Sequence, residues 1–227
     1  MTLRFERLVV QAALAGELPH RPRGAGWDAR ANGRVGPQPM GPLSDRSALV
    51  IVGSCGRLGE GPLGELVLPE WVVDRTGQRR EPDLGLFAAV SGAARRQGIA
   101  TTHGGLTESH GVIDSAAERI DLARRTGAEF VDMESAAWAA AAEKAGAPWC
   151  VLRFVSDSAD HPLGFLAELL GGWPESEPPL GALLAGLLRR PGHLRPLARL
   201  GGAASRARRR VGALLAELEG DALPADP

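Results

Sequence analysis

Tyrosine is absent from this chain, lysine occurs once, at Lys144, and cysteine only twice. Arginine carries nearly all of the positive charge, and together with the missing tyrosine this reads as compositional bias rather than function. The two cysteines, Cys55 and Cys150, stand far apart and match no zinc or redox spacing. That excludes a disulfide framework and a cysteine-based metal site, and leaves two ordinary buried thiols. A basic excess is missing too. With 26 basic against 27 acidic side chains the formal net charge is −1, so nothing points to nucleic acid as a partner. No apolar run is long enough to span a membrane, and the short one near the N-terminus is followed by Glu17, which fits a signal-cleavage region poorly. A cytoplasmic protein is expected. Repeats of solenoid length are absent as well.

What the 227 residues do hold, with 44% hydrophobic content, is material for one substantial core. Apolar, β-branched runs recur at 8–12, 48–52, 66–73 and 149–155, and segments rich in alanine and leucine with helical spacing lie between several of them. This alternation predicts an α/β layer architecture. The clearest helices span 84–97, 115–126 and 135–145, with Gly98, Gly127 and Gly146 just past their ends, where a left-handed cap falls. Residues 19–45 are dominated by Gly, Pro and Arg, and any strand there must be short. Helical character returns from 180 and is broken at Pro191-Gly192. The expected organisation is a catalytic core over 1–179 and a helical, arginine-rich extension over 180–227, packed on the core or appended to it.

Breaking a bond that leaves positive charge on one fragment and negative charge on the other calls for an acid at the departing group and carboxylate help at the cationic one. The strand over 149–155 delivers Ser156 and Asp157 at its C-terminal end, the edge where open α/β sheets bind ligands. A short strand over 130–132 turns through Met133 and Glu134 into the next helix. Taken singly, Glu134 also reads as an acidic first-turn residue favoured by the helix dipole, and Asp157 as a turn or cap residue.

The run V-D-M-E-S-A-A from Val131, a small-residue helix, and then A-P-W-C-V-L-R-F-V-S-D-S-A-D from Ala147 resemble the signature of the nucleoside phosphorylase and nucleosidase superfamily. The resemblance implies a single-domain phosphorylase/hydrolase-like α/β fold, with a twisted mixed central sheet flanked by helices. It also implies that Met133 and Glu134 hold the ribose, that Asp157 serves the purine N7 region as the acid, and that Ser156 supports it. Arg153 matches the family arginine that faces the anion or the attacking water, against the alternative of an exposed strand-end arginine. G-S-C-G-R-L from Gly53 resembles the family's glycine-rich turn, where Ser54 approaches the sugar or phosphate; Arg57 stands where a second glycine is common. L-V-V-Q-A-A-L-A-G-E resembles the first strand of the nucleosidases and makes Glu17 the general base that activates water. Residues 103–113 correspond to the base-contacting strand and loop, with main-chain groups at Gly111 and Val112 reading the purine edge. The aromatic that often stacks on the base is missing there, and His110 reads as a surface residue.

Ile51 stands where hexameric phosphorylases carry a phosphate-binding arginine, which with Glu17 leans toward water as the nucleophile. Inorganic phosphate stays open as a co-substrate through Arg153, Arg57 or an arginine of 19–45. No other cofactor and no metal is expected. The tail resembles that of hopanoid-associated phosphorylases, which implies adenosylhopane as substrate and adenine as product. Its Arg189, Arg190, Arg195, Arg199, Arg206, Arg208, Arg209 and Arg210, interleaved with leucines, suit the anionic face of a membrane, or equally a solvated face or an oligomer contact. Two other readings stand beside this one: a nucleosidase acting on methylthioadenosine, adenosylhomocysteine or a futalosine-like nucleoside, and a family member that binds a nucleoside or partner without catalysis. The family also implies a homo-oligomer.

Overall fold

A computed structural model of the chain describes residues 5, 7–13, 17–19, 27–31, 43, 46–164, 167, 192 and 194–222. Two strands, β3 (Ser47–Arg57) and β10 (Trp149–Asp157), run parallel through the middle of a ten-stranded mixed sheet. Along its first half β3 is flanked by the parallel strand β1 (Arg7–Ala12), which carries β2 (Asp28–Ala31) on its outer side. Along its second half the neighbour is β9 (Phe130–Asp132), which runs antiparallel to it. From β9 the sheet continues through β8 (Gly105–Glu108) and β5 (Trp71–Val73) to β6 (Arg79–Arg80). Beyond β10 lie β4 (Leu66–Val67) and β7 (Thr101–Thr102).

Both faces of the central strands are buried, which is why they read as continuous apolar runs rather than as an alternation. Ala48, Val50 and Val52 face one layer together with Leu152, beneath helices α1 (Leu84–Arg96) and α4 (Leu194–Ala222). Leu49, Ile51 and Val151 face the other, against Trp138, Ala139 and Ala142 of α3 (Ser135–Lys144). Helix α2 (Ala116–Thr126) covers a smaller cluster of Leu58, Leu122 and Val131; Ser115 caps its start, and Gly127, at φ 71°, ends it in the left-handed region.

Two elements depart from the sequence-based expectation. The run over 66–73 is two strands rather than one. Pro69 supplies no N–H at the junction, β4 pairs antiparallel with β10, and β5 moves over to lie parallel to β8. The run over 48–52 extends to Arg57, so the glycine motif at 53–58 lies mostly within a strand instead of forming a turn after it. Helix α4 runs unbroken for 29 residues after Pro191-Gly192, where the sequence places the break, with Pro196 in its first turn, where the missing N–H goes unneeded. Its Ala207, Val211, Leu214, Leu215 and Leu218 are buried in the same core as α1 and β10, while Arg199, Arg206, Arg209 and Arg210 are exposed and Arg208 is half-buried. Leu214, Leu215 and Leu218, which follow these arginines, therefore face protein, while Leu200 among them is half-buried. Arg189, Arg190 and the side chain of Arg195 lie outside the described residues. Among the described residues no helix is long and apolar enough to cross a membrane.

Candidate active site

The second half of β3 owes its glycines to what crosses over them. A Cβ on Gly53 would lie 2.1 Å from Nη1 of Arg153, and one on Gly56 would lie 2.9 Å from Oδ2 of Asp157. The two glycines open space for a guanidinium and a carboxylate from the neighbouring strand. Arg153 is fully buried in the middle of β10, which overturns the alternative of an exposed strand-end arginine. Its Nη1 donates to the Val52 carbonyl at 3.0 Å, and its Nε and Nη2 donate to Ser135 Oγ at 3.2 and 2.9 Å. Nη2 also meets Asp132 Oδ2 at 2.5 Å and lies 3.8 Å from Glu134 Oε2. Burial opposes the charge of Arg153, but the carboxylates of Asp132, Glu134 and Glu17 outweigh it and hold the pKa above the ordinary arginine value.

Glu17 reaches this group from the chain that follows β1. Its Oε1 accepts from the backbone N–H of Ser54 at 3.1 Å and from Ser54 Oγ at 2.5 Å, so Ser54 positions the glutamate. Glu134 is the N-cap residue of α3, yet its side chain makes no capping hydrogen bond. Other carboxylates satisfy that helix end. Asp132 Oδ1 accepts from the N–H groups of Glu134 and Ser135 at 3.3 and 3.2 Å, and Glu108 Oε2 accepts from Ala137 N–H at 3.1 Å. Glu134 thus stands at the N-terminus of α3, where the helix dipole favours a carboxylate, while Asp132 and Glu108 supply the capping hydrogen bonds. Burial, with Asp132 close by, raises the pKa of Glu108 above the usual carboxylate range.

Ser156 and Asp157 end β10 beside a bulge between Val155 and Asp157, a device that re-aims side chains at a sheet edge. Ser156 Oγ lies 2.6 Å from Asp157 Oδ1 and 3.1 Å from the Cys55 carbonyl, two acceptors for its one proton. Asp157 Oδ2 is met at 2.5 Å by Nη2 of Arg119, a side chain 1% exposed whose Nη1 donates to the Arg57 carbonyl at 2.6 Å. The structure thus brings Glu17, Ser54, Glu134 and Arg153 together on one side of the Gly53–Gly56 stretch, and Ser156 and Asp157 at its far end. Met133 is half-buried between Asp132 and Glu134. Gly111 and Val112 lie in the loop after β8, where Ser109 Oγ donates to the Gly111 carbonyl at 2.7 Å. Arg57 points elsewhere: its guanidinium pairs with Glu65 and lies 5.2 Å over the Phe130 ring. His110 is exposed and meets Arg75. Burial pushes the Cys55 thiol well up, so it offers no thiolate to the site.

Sequence reasoning assigned no role to Asp132, Ser135 or Arg119. Asp132 and Ser135 stood inside the quoted motif, flanking Met133 and Glu134. Arg119 carried no signal, because helical spacing favours burying Ile120 with Ala116 and Ala123, whereas Ile120 is 51% exposed.

A mixed sheet with helices on both faces, whose central strands carry carboxylates and a buried arginine, defines the class of α/β proteins to which this chain is assigned by comparison. The chain belongs to the phosphorylase superfamily, whose family model matches residues 45–183. Solved structures with this fold include the 5′-methylthioadenosine/S-adenosylhomocysteine nucleosidase of Neisseria meningitidis in complex with methylthio-immucillin-A, at 16% identity and a TM-score of 0.64, covering 94% of this chain and 100% of that one. The futalosine hydrolase of Helicobacter pylori is similar at 15% identity and a TM-score of 0.62, covering 93% of this chain and 98% of that one. The Campylobacter jejuni 5′-methylthioadenosine/S-adenosylhomocysteine nucleosidase matches at 13% identity and a TM-score of 0.62, covering 93% and 99%. No curated protein matches the chain by sequence.

Proposed function

We propose that the protein hydrolyses the N-glycosidic bond of a purine nucleoside. The observation that carries this reading is the surplus of negative charge around Arg153, where the carboxylates of Asp132, Glu134 and Glu17 surround one buried guanidinium. Such a site favours the cationic sugar of the transition state and disfavours a phosphate dianion. The groups of Arg153 are already directed to Val52, Ser135 and Asp132, and Arg57 is engaged by Glu65, which leaves neither arginine suited to hold phosphate.

In this reading Met133 and Glu134 bind the ribose, Glu17 orients and deprotonates water, and Asp157 with Ser156 faces the base, whose edge Gly111 and Val112 read. The water oxygen bonds C1′ and one of its protons passes to the Glu17 carboxylate. The C1′–N9 electron pair stays with the base, which takes up a proton from solvent on its Asp157 side while Glu17 gives its proton back to solvent. Nucleoside and water thus give free sugar and free base.

The finer choice of substrate lies between small soluble nucleosides of the methylthioadenosine, adenosylhomocysteine or futalosine type and the lipid-linked adenosylhopane. The burial of Leu214, Leu215 and Leu218 in the core favours the small nucleosides, because these apolar side chains are taken up by protein and not presented to a lipid surface. The test is base release from adenosine, methylthioadenosine, futalosine and adenosylhopane, compared between the wild type and Glu134→Gln. Release from at least one substrate, reduced about 10²-fold or more in the variant, is expected. Binding without release by the wild type would instead mark a non-catalytic nucleoside-binding protein.

A further inference from the structure

We propose that Arg119 is a positioning residue for departure of the base, acting through Asp157. The inference rests on the reading of Asp157 as the base-side carboxylate. Helix α2 turns a guanidinium inward while leaving Ile120 half in solvent, the reverse of what burial of apolar surface alone dictates. The buried arginine makes two directed contacts, to the Arg57 carbonyl on β3 and to Asp157 Oδ2 on β10. With Oδ2 held by Arg119 and Oδ1 beside Ser156, the plane of the Asp157 carboxylate is fixed from both sides.

That geometry leaves Oδ1, on the side of the half-exposed Ser156, to meet the base. Arg119 touches Asp157 and the strand behind it rather than the sugar side. Its effect is therefore confined to leaving groups that need Asp157. A purine needs a proton or hydrogen bond on its imidazole ring to leave, whereas p-nitrophenolate leaves as a stable anion without one. The C1′ chemistry with water is the same for both, and both depend on Glu134.

The experiment compares kcat and KM for a purine nucleoside the enzyme turns over and for p-nitrophenyl β-D-ribofuranoside. The proteins are the wild type, Arg119→Met, Asp157→Asn, the double variant Arg119→Met/Asp157→Asn, and Glu134→Gln as the sugar-side control. Arg119→Met is expected to lose about 10²-fold in kcat on the purine nucleoside, the scale of a misplaced catalytic group, and to stay within about threefold of wild type on the nitrophenyl riboside. The double variant, which removes both charges and so folds without an uncompensated buried carboxylate, is expected to match Asp157→Asn alone on both substrates. Equal losses on the two substrates, or a double variant well below Asp157→Asn, would mean that Arg119 only supports the fold, and would overturn the proposal. A wild-type rate left unchanged by both Asp157→Asn and Glu134→Gln would overturn the functional reading beneath it.

Discussion

Asp74 shows how much a single side chain contributes at a turn. Its Oδ1 accepts from Thr76 N–H at 2.9 Å, Thr76 Oγ1 at 2.6 Å and Gln78 N–H at 2.9 Å, and its Oδ2 pairs with Arg80 at 3.1 Å. Partial burial opposes the charge, but these donors outweigh it and bring the pKa down to about 2. A carboxyl depressed in the folded state stabilises the protein above its unfolded pKa and loses that contribution as the pH falls through the folded value. Asp74→Asn is therefore expected to lower stability by about 2 kcal/mol at neutral pH, the deficit shrinking between about pH 4 and pH 2. Denaturant melts at pH 7 and pH 3 check this, and a deficit independent of pH would contradict it. The same scale divides what could be read in advance from what could not. Asp157, at the end of β10, and Glu134, at the N-cap of α3, stood out in advance because both lie within a recognisable motif. The guanidinium of Arg119 was hidden because its burial depends on Asp157, 38 residues away in the chain.

Among the elements, α4 separates two uses of a charged, amphipathic helix. Its apolar residues are core: Leu215 is fully buried, and Leu215→Ala is expected to cost about 2–5 kcal/mol. Arg209→Gln, on the exposed face, is expected to change stability by no more than about 0.5 kcal/mol. Chemical denaturation of the two variants tests the distinction, and comparable losses would contradict the packing described. The helices over 84–97, 115–126 and 135–145 were legible to within about two residues because caps and glycines punctuate them. The length of β3 was not. Its apolar run stops at Val52, and the strand continues through Gly53 and Gly56 because backbone pairing with β10 and β9 sustains it while Arg153 and Asp157 fill the space above the glycines.

At the scale of the whole molecule, layer architecture follows from the alternation of apolar strands and helices, but the order of the sheet does not. Nothing local specifies that β9 takes over antiparallel where β1 leaves the edge of β3, yet this exchange carries Asp132 and Glu134 to Arg153. The resulting charge balance, three carboxylates to one buried guanidinium, is what supports the proposal that water is the nucleophile. The most direct test incubates the protein with a cleavable purine nucleoside in phosphate buffer and identifies the sugar product by phosphorus NMR and mass spectrometry. Free sugar, formed at the same rate with and without phosphate, is the predicted result; a sugar 1-phosphate, formed only when phosphate is present, would contradict it.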